Sequence, residues 1–219
     1  MMQFYDISHN TSYTPGVPEI EEIIKGIEDK GPCPVCGVSR RYPVGDPRVR
    51  LGKTRARFWP DAIACGDYPL FVVSERFVDA MRSCGIRLEL GGTVRFVEPN
   101  RSGLSLDEAP QYYWIDGTRH FAATMDFEES GYVNVQFCSV CGARSEDIGR
   151  TYERQHADPP PGIVFDYDAS SKLDLFTTDL APTAFFCTEK VFDCARQHRL
   201  TNLYFSPVEK GAMGKPMKY

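Results

Sequence analysis

Across 219 residues, 42% hydrophobic and 12% aromatic side chains supply enough apolar surface for one large core or two small ones, which excludes a disordered chain. The net charge of −5 makes the chain as a whole a poor polyanion binder, yet it is unevenly carried: residues 40–57 hold seven Lys or Arg against Asp46 alone, so this stretch is +6 and the remainder −11. No apolar run is long enough to span a bilayer and the first residues lack the order of a secretory signal, so a soluble, cytoplasmic protein is expected, with no membrane partner.

Residues 2–7 read as a strand, followed by a polar, turn-rich stretch to Pro18. Ile20, Ile23, Ile24 and Ile27 recur at helical spacing behind Glu19, Glu21 and Glu22, which predicts a helix leading into Cys33-Pro34-Val35-Cys36-Gly37. Next, 48–51 and 55–58 alternate basic and apolar residues around Gly52-Lys53-Thr54 and predict a hairpin with one cationic face; a solvated or internally neutralised edge would carry the same residues. Leu70 to Val73 is a short buried strand, and Ser74 caps a helix over 75–84 with Phe77, Val78 and Met81 on one face and Gly85 as its stop. Strands are expected at 86–90 and 93–97, split by Gly91-Gly92, and again at 111–116, 119–125 and 132–137, with a turn at Asp116-Gly117. After Cys138-Ser139-Val140-Cys141-Gly142, the Pro159-Pro160-Pro161-Gly162 run marks a break, and residues 211–219 read as a loose tail.

The two Cys-x-x-Cys-Gly stretches are the strongest chemical signal in the chain. A two-residue spacer lets both sulfurs face one point about 2.3 Å away, and a glycine after the second cysteine takes the positive φ that the reversal needs. Cys33, Cys36, Cys138 and Cys141 are therefore expected to close one tetrahedral zinc site, with Gly37 and Gly142 as its structural turns. A filled four-sulfur shell leaves no position for substrate, so such a zinc is structural. Closing a loop of this length costs about 4 kcal/mol, against roughly 10 to 16 kcal/mol that structural zinc contributes in small peptides. Two separate reduced thiol pairs or two disulfides are the alternative reading. Cys65, Cys84, Cys187 and Cys194 stand alone in the sequence and are taken as small buried hydrophobes.

A strand and helix recur as well. Ser74-Glu75-Arg76-Phe77-Val78-Asp79 matches Thr188-Glu189-Lys190-Val191-Phe192-Asp193, behind Phe185-Phe186-Cys187 and before a strand at 203–207. Internal duplication is the economical explanation. The fold class this predicts is α+β, with mixed or antiparallel sheets, a few helices and two related lobes joined by the four-cysteine site. The first lobe is expected over 1–109, with the knuckle 33–37 and helix 75–84; the second over 110–219, with the knuckle 138–142 and helix 189–198.

No phosphate-cradling glycine loop, serine nucleophile elbow or histidine-rich hydrolase motif is present, and His9, His120, His156 and His198 follow no ligand spacing, so no enzyme is expected. The paired motifs at Cys33, Cys36, Gly37 and Cys138, Cys141, Gly142, with the repeated helix starts at Ser74 and Thr188, resemble the double-CXXCG family. That family is associated with immunity proteins that neutralise contact-delivered polymorphic toxins of social swarming bacteria. The resemblance implies a cognate toxin as partner and carries over no toxin-contacting residue. Two other classes remain open on the residues alone. A zinc-ribbon nucleic-acid binder would use the basic 48–57 hairpin as its phosphate track, and a thiol oxidoreductase would use one Cys-x-x-Cys as a reactive pair.

Overall fold

The structure is a computed structural model and describes residues 3–9, 17–63, 65, 70–167, 172–178 and 181–209. The tail at 211–219 and most of the turn-rich stretch before Pro18 lie outside the described residues. The elements run β1 (Phe4–His9), β2 (Ile20–Pro32), β3 (Ser39–Leu51), β4 (Ala62–Ile63), β5 (Phe71–Ser74), α1 (Glu75–Ser83), β6 (Leu90–Phe96) and β7 (Tyr112–Ile115). They continue through β8 (Phe121–Asp126), β9 (Gln136–Phe137), β10 (Arg144–Ser145), α2 (Ile148–Gln155), β11 (Val164–Tyr167), β12 (Leu175–Thr178), β13 (Ala181–Thr188), α3 (Glu189–Gln197) and β14 (Leu203–Pro207). The fold is α+β with mixed sheets.

One six-stranded sheet has the order β2-β3-β6-β7-β5-β4, the other β11-β8-β12-β13-β1-β14, and β9 pairs with β10 separately. Within them, β4-β5-β7-β6 with α1 corresponds strand for strand to β12-β13-β1-β14 with α3, all neighbours antiparallel in both. The registers agree: Phe71, Val72, Val73 and Ser74 face Ile115, Trp114, Tyr113 and Tyr112, as Phe185, Phe186, Cys187 and Thr188 face Ile7, Asp6, Tyr5 and Phe4. Strand β1, from the start of the chain, thus sits where β7 sits in the other unit. Gln111-Tyr112-Tyr113-Trp114-Ile115-Asp116 and Gln3-Phe4-Tyr5-Asp6-Ile7-Ser8 are its sequence trace. Even the helix entries match, with Glu75 N–H donating to Gln111 C=O at 2.7 Å and Glu189 N–H to Gln3 C=O at 3.1 Å.

The two units face each other across one core. Their inner sheet faces, including Phe71, Val73, Ile7 and Phe185, close over the buried sides of α1 and α3. Phe71 and Phe185, equivalent positions, stack with ring centres 5.1 Å apart. The ties between units are reciprocal: Arg76 on α1 donates to the C=O groups of His198 and Arg199 past the end of α3, and Lys190 on α3 donates to Gly85 C=O at the end of α1. Each outer sheet face carries its own cluster, one around Val49, Leu51, Val72 and Trp114, the other around Ala122, Phe176 and Phe186.

Four expected elements differ. The stretch from Ile20 is strand β2, not a helix. Its register against β3 slips between Ile20 and Glu22 and again between Ile23 and Lys25, and each bulge inserts a residue that brings positions three apart onto one face. Ile20 and Ile23 both reach the core this way while Ile24 stays exposed, so bulged strand imitates helical spacing. The hairpin across 48–58 is absent too: β3 holds Arg48 to Leu51, but its partners are β2 and β6, and residues 55–58 form no strand. Arg40 donates to the C=O groups of Gly31 and Lys30, and carboxylates of β2 pair with two of the basic residues, Asp29 with Arg41 and Glu22 with Arg50. Finally, Gly91-Gly92 does not split two strands but lies inside β6. A Cβ on Gly91 would stand 2.2 Å from the Trp114 ring and one on Gly92 2.1 Å from Gly45 O, so close approach, not a turn, demands glycine there. The expected strand over 132–137 is reduced to Gln136 and Phe137.

Asp6 occupies the position of Trp114 in the second unit and borders a cleft with His156, Ile163 and Ser206. Burial pushes its carboxyl up to about 6. In the unfolded chain the group ionises near 3.9, so below about pH 4 both states hold the proton and nothing is lost. Between about pH 4 and 6 only the unfolded chain ionises, and above that the folded state carries a fixed cost of about 2 to 3 kcal/mol. Asp6→Asn is therefore expected to raise the urea midpoint at pH 8 and leave it unchanged at pH 4; an equal gain at both would disprove the assignment.

Candidate metal centre

Each Cys-x-x-Cys stretch is the turn of a hairpin. The first joins the ends of β2 and β3, where Pro32 pairs with Ser39, and the second joins β9 to β10, where Phe137 pairs with Arg144. The turns share their hydrogen bonds: Cys33 N–H donates to Val38 C=O and Gly37 N–H to Cys33 C=O, both at 2.9 Å. In the second, Cys138 N–H donates to Ala143 C=O at 2.9 Å and Gly142 N–H to Cys138 C=O at 2.8 Å. Gly37 and Gly142 have φ of 75° and 70°. No atom lies within 4 Å of a Cβ placed on either, so backbone conformation and not crowding accounts for both glycines.

These turns bring the four sulfurs together from 105 residues apart. Cys33 Sγ lies 3.8 Å from Cys138 Sγ and Cys36 Sγ 3.4 Å from Cys141 Sγ, with all four within 4.8 Å of one another. A tetrahedron with metal–sulfur bonds of about 2.3 Å has edges of about 3.8 Å, whereas a disulfide needs about 2.05 Å. The set could therefore hold a metal ion. Cys33 is buried, Cys36 exposed and the other two half-buried, so the centre lies near the surface.

The backbone prepares the thiolates. N–H groups of Cys36 and then Val35 point at Cys33 and lower its thiol to about 6, and those of Cys141 and Val140 lower Cys138 in the same way. Cys141 accepts from Ala143 N–H, which alone would lower it, but desolvation and the thiols of Cys36, Cys33 and Cys138 push it up to about 12. Crowding four ionisable sulfurs is what a bound cation would relieve.

The remaining sequence candidates fall into place around this. Cys65 and Cys187 are buried in the cores. His120 is fully buried and satisfied, its Nε2 accepting Glu89 N–H at 2.9 Å and its Nδ1 within 3.1 Å of Leu175 O. Cys84, Cys194 and His198, which no motif singled out, lie together where α1 meets α3.

The chain matches the immunity protein family Imm11 over residues 9–210. It belongs to that family. No curated protein matches it. An Imm11 member has an immunity function, and such a function implies binding a toxin partner. Among the described residues, no helix is long and apolar enough to cross a membrane.

Proposed function

We propose that this Imm11 protein is a non-enzymatic immunity protein that binds and neutralises a cognate polymorphic toxin of the contact-delivered, swarm-inhibition type in the cytoplasm, with one structural zinc at Cys33, Cys36, Cys138 and Cys141. The family match over residues 9–210 carries the reading. The four-thiol set supports it, because zinc held by four sulfurs has no position left for substrate and stiffens the two hairpins into one surface. The absence of the expected 48–57 hairpin and the carboxylate pairing of Arg41 and Arg50 weigh against a nucleic-acid track.

Exposed apolar side chains flank both turns of the centre, Val35 and Val38 on the first and Phe137 and Val140 on the second, and recur at Ile148 and Tyr152 on α2, which follows β10 by three residues. Ile148 is 77% and Tyr152 61% exposed, four residues apart on one helix face. Surfaces of this kind mark protein contacts, and we place the toxin there. Ile148→Asp combined with Tyr152→Asp is expected to weaken toxin binding by roughly 30-fold or more, as loss of a contact hot spot does, with an unchanged melting temperature. Co-expression with the candidate toxin, scored by growth rescue and by co-purification, tests the function itself. Failure of both rescue and co-purification would remove it; rescue that survives the double substitution would move the contact face elsewhere.

A further inference from the structure

We propose that Cys84, Cys194 and His198 form a second metal site, for a thiophilic cation such as Zn2+, at the junction of the two helices. The ligand atoms of the three side chains all lie within 4.8 Å of one another. Two thiols with an imidazole are the donors that zinc takes, at about 2.3 Å to sulfur and 2.0 to 2.1 Å to nitrogen. Small rotamer adjustments bring such a set to bonding distance. Cys194 on α3 and His198, which caps the end of that helix, are one helical turn apart, the spacing that puts two ligands on one face, and Cys84 comes from the other unit as the residue that caps the end of α1.

The internal repeat explains how the three meet. Cys84 and His198 are equivalent positions: each follows its helix with nearly the same backbone, φ and ψ of −83° and 2° against −87° and 0°. Cys194 corresponds to Ala80, and its Sγ donates to Ala80 O at 3.3 Å, so the two helices touch at matching points. The site thus lies beside the junction of the two units. Ser83 Oγ stands 3.3 Å from His198 Nε2, an oxygen able to orient the ring. Cys194 is 2% exposed and the other two are half-buried, so the site has a dry floor and an open rim. Three protein ligands leave a fourth position for water, unlike the closed four-sulfur centre. Its effect would be to fasten α1 to α3, and hence one unit to the other.

The test is zinc content of the full chain after reloading with excess Zn2+ and desalting, measured by elemental mass spectrometry. Two zinc ions per chain are expected for the wild type and one for Cys84→Ser or His198→Gln. The half-buried His198 makes the second variant the safer one, and its circular dichroism should match the wild type. His198→Gln should weaken zinc binding by more than the roughly 10- to 100-fold that losing an outer-shell partner costs. Cobalt substitution supplies a second readout, since removing the first centre with Cys33→Ser, Cys36→Ser, Cys138→Ser and Cys141→Ser should leave absorbance from a two-thiolate site, which a further His198→Gln abolishes. One zinc in both wild type and His198→Gln overturns the proposal, as do two in both. A Cys84–Cys194 disulfide, seen as a loss of two hydrogens in the intact mass that persists after zinc loading, overturns it as well. None of these outcomes depends on whether a toxin binds.

Discussion

Replacing Cys33 and Cys138 together by serine is expected to abolish metal binding at the four-sulfur centre and to free both hairpins, while the two-unit core stays folded. The far half of β2 and β3 explains the split outcome. Beyond Ile27 the hairpin is mostly exposed, and the sulfurs at its tip converge on those of the second turn. The helices and sheets of the core lie elsewhere, around Phe77, Met81, Val191 and Phe205. Limited proteolysis should therefore cut the variant near residues 30–40 and 136–145 at a rate well above wild type, with the far-ultraviolet signal of the helices largely retained. In the wild type, Cys33, Cys36, Cys138 and Cys141 should resist alkylation until a chelator is added and then react together. Rapid alkylation of all four without a chelator would show that no metal is held.

Asp61→Ala is expected to cost about 3 kcal/mol, a fall in melting temperature of roughly 6 to 12 °C for a chain of this size. Asp61 is only 3% exposed and holds four groups at once. It accepts from Ser74 Oγ at 2.9 Å, Arg76 Nη1 at 2.6 Å, and Thr201 N–H and Oγ1 at 2.7 and 3.0 Å. Ser74 in turn caps α1 by accepting Phe77 N–H at 3.1 Å, Arg76 reaches across to the end of α3, and Thr201 belongs to the second unit. Removing the carboxylate would leave two hydroxyls and a backbone N–H short of a partner in a nearly dry place, while the Arg76 side chain, 53% exposed, can turn to water. Asp174, its counterpart, provides the comparison. It accepts from Thr188 Oγ1 at 3.0 Å and Lys190 Nζ at 2.8 Å, but its side chain is 21% exposed, so water can take over part of its role. Asp174→Ala should cost less than half as much in a chemical-denaturation series. Equal losses for the two would mean that the links of Asp61 to Thr201 contribute nothing.

What local chemistry decides was readable in the residues. Cys-x-x-Cys-Gly has few conformations in which both sulfurs face one point and the glycine turns left-handed, so the two knuckles, their glycines and their likeness to each other follow from spacing alone. The helices after Ser74 and Thr188 were readable for the same reason, since cap, first-turn carboxylate and apolar face lie within a dozen residues. Ile20, Ile23, Ile24 and Ile27 misled because bulges against β3 reproduce helical spacing, and a bulge is set by the partner strand. Gly91 and Gly92 misled because what needs their missing side chains, Trp114 and Gly45, arrives from other strands. Helix α2 gave little signal, since its apolar Ile148 and Tyr152 face outward and only Thr151 is buried.

The sequence by itself determined that this chain carries two matched Cys-x-x-Cys-Gly turns and two matched strand–helix units, because each is encoded in contiguous residues. Only the tertiary structure decided that β1 completes the distant second unit, that Cys84 and His198 are equivalent and meet Cys194, and that Asp61 ties one unit to the other. Those pairings join residues separated by more than a hundred positions, and backbone hydrogen bonds across a sheet or between helix ends leave no periodic mark on either partner.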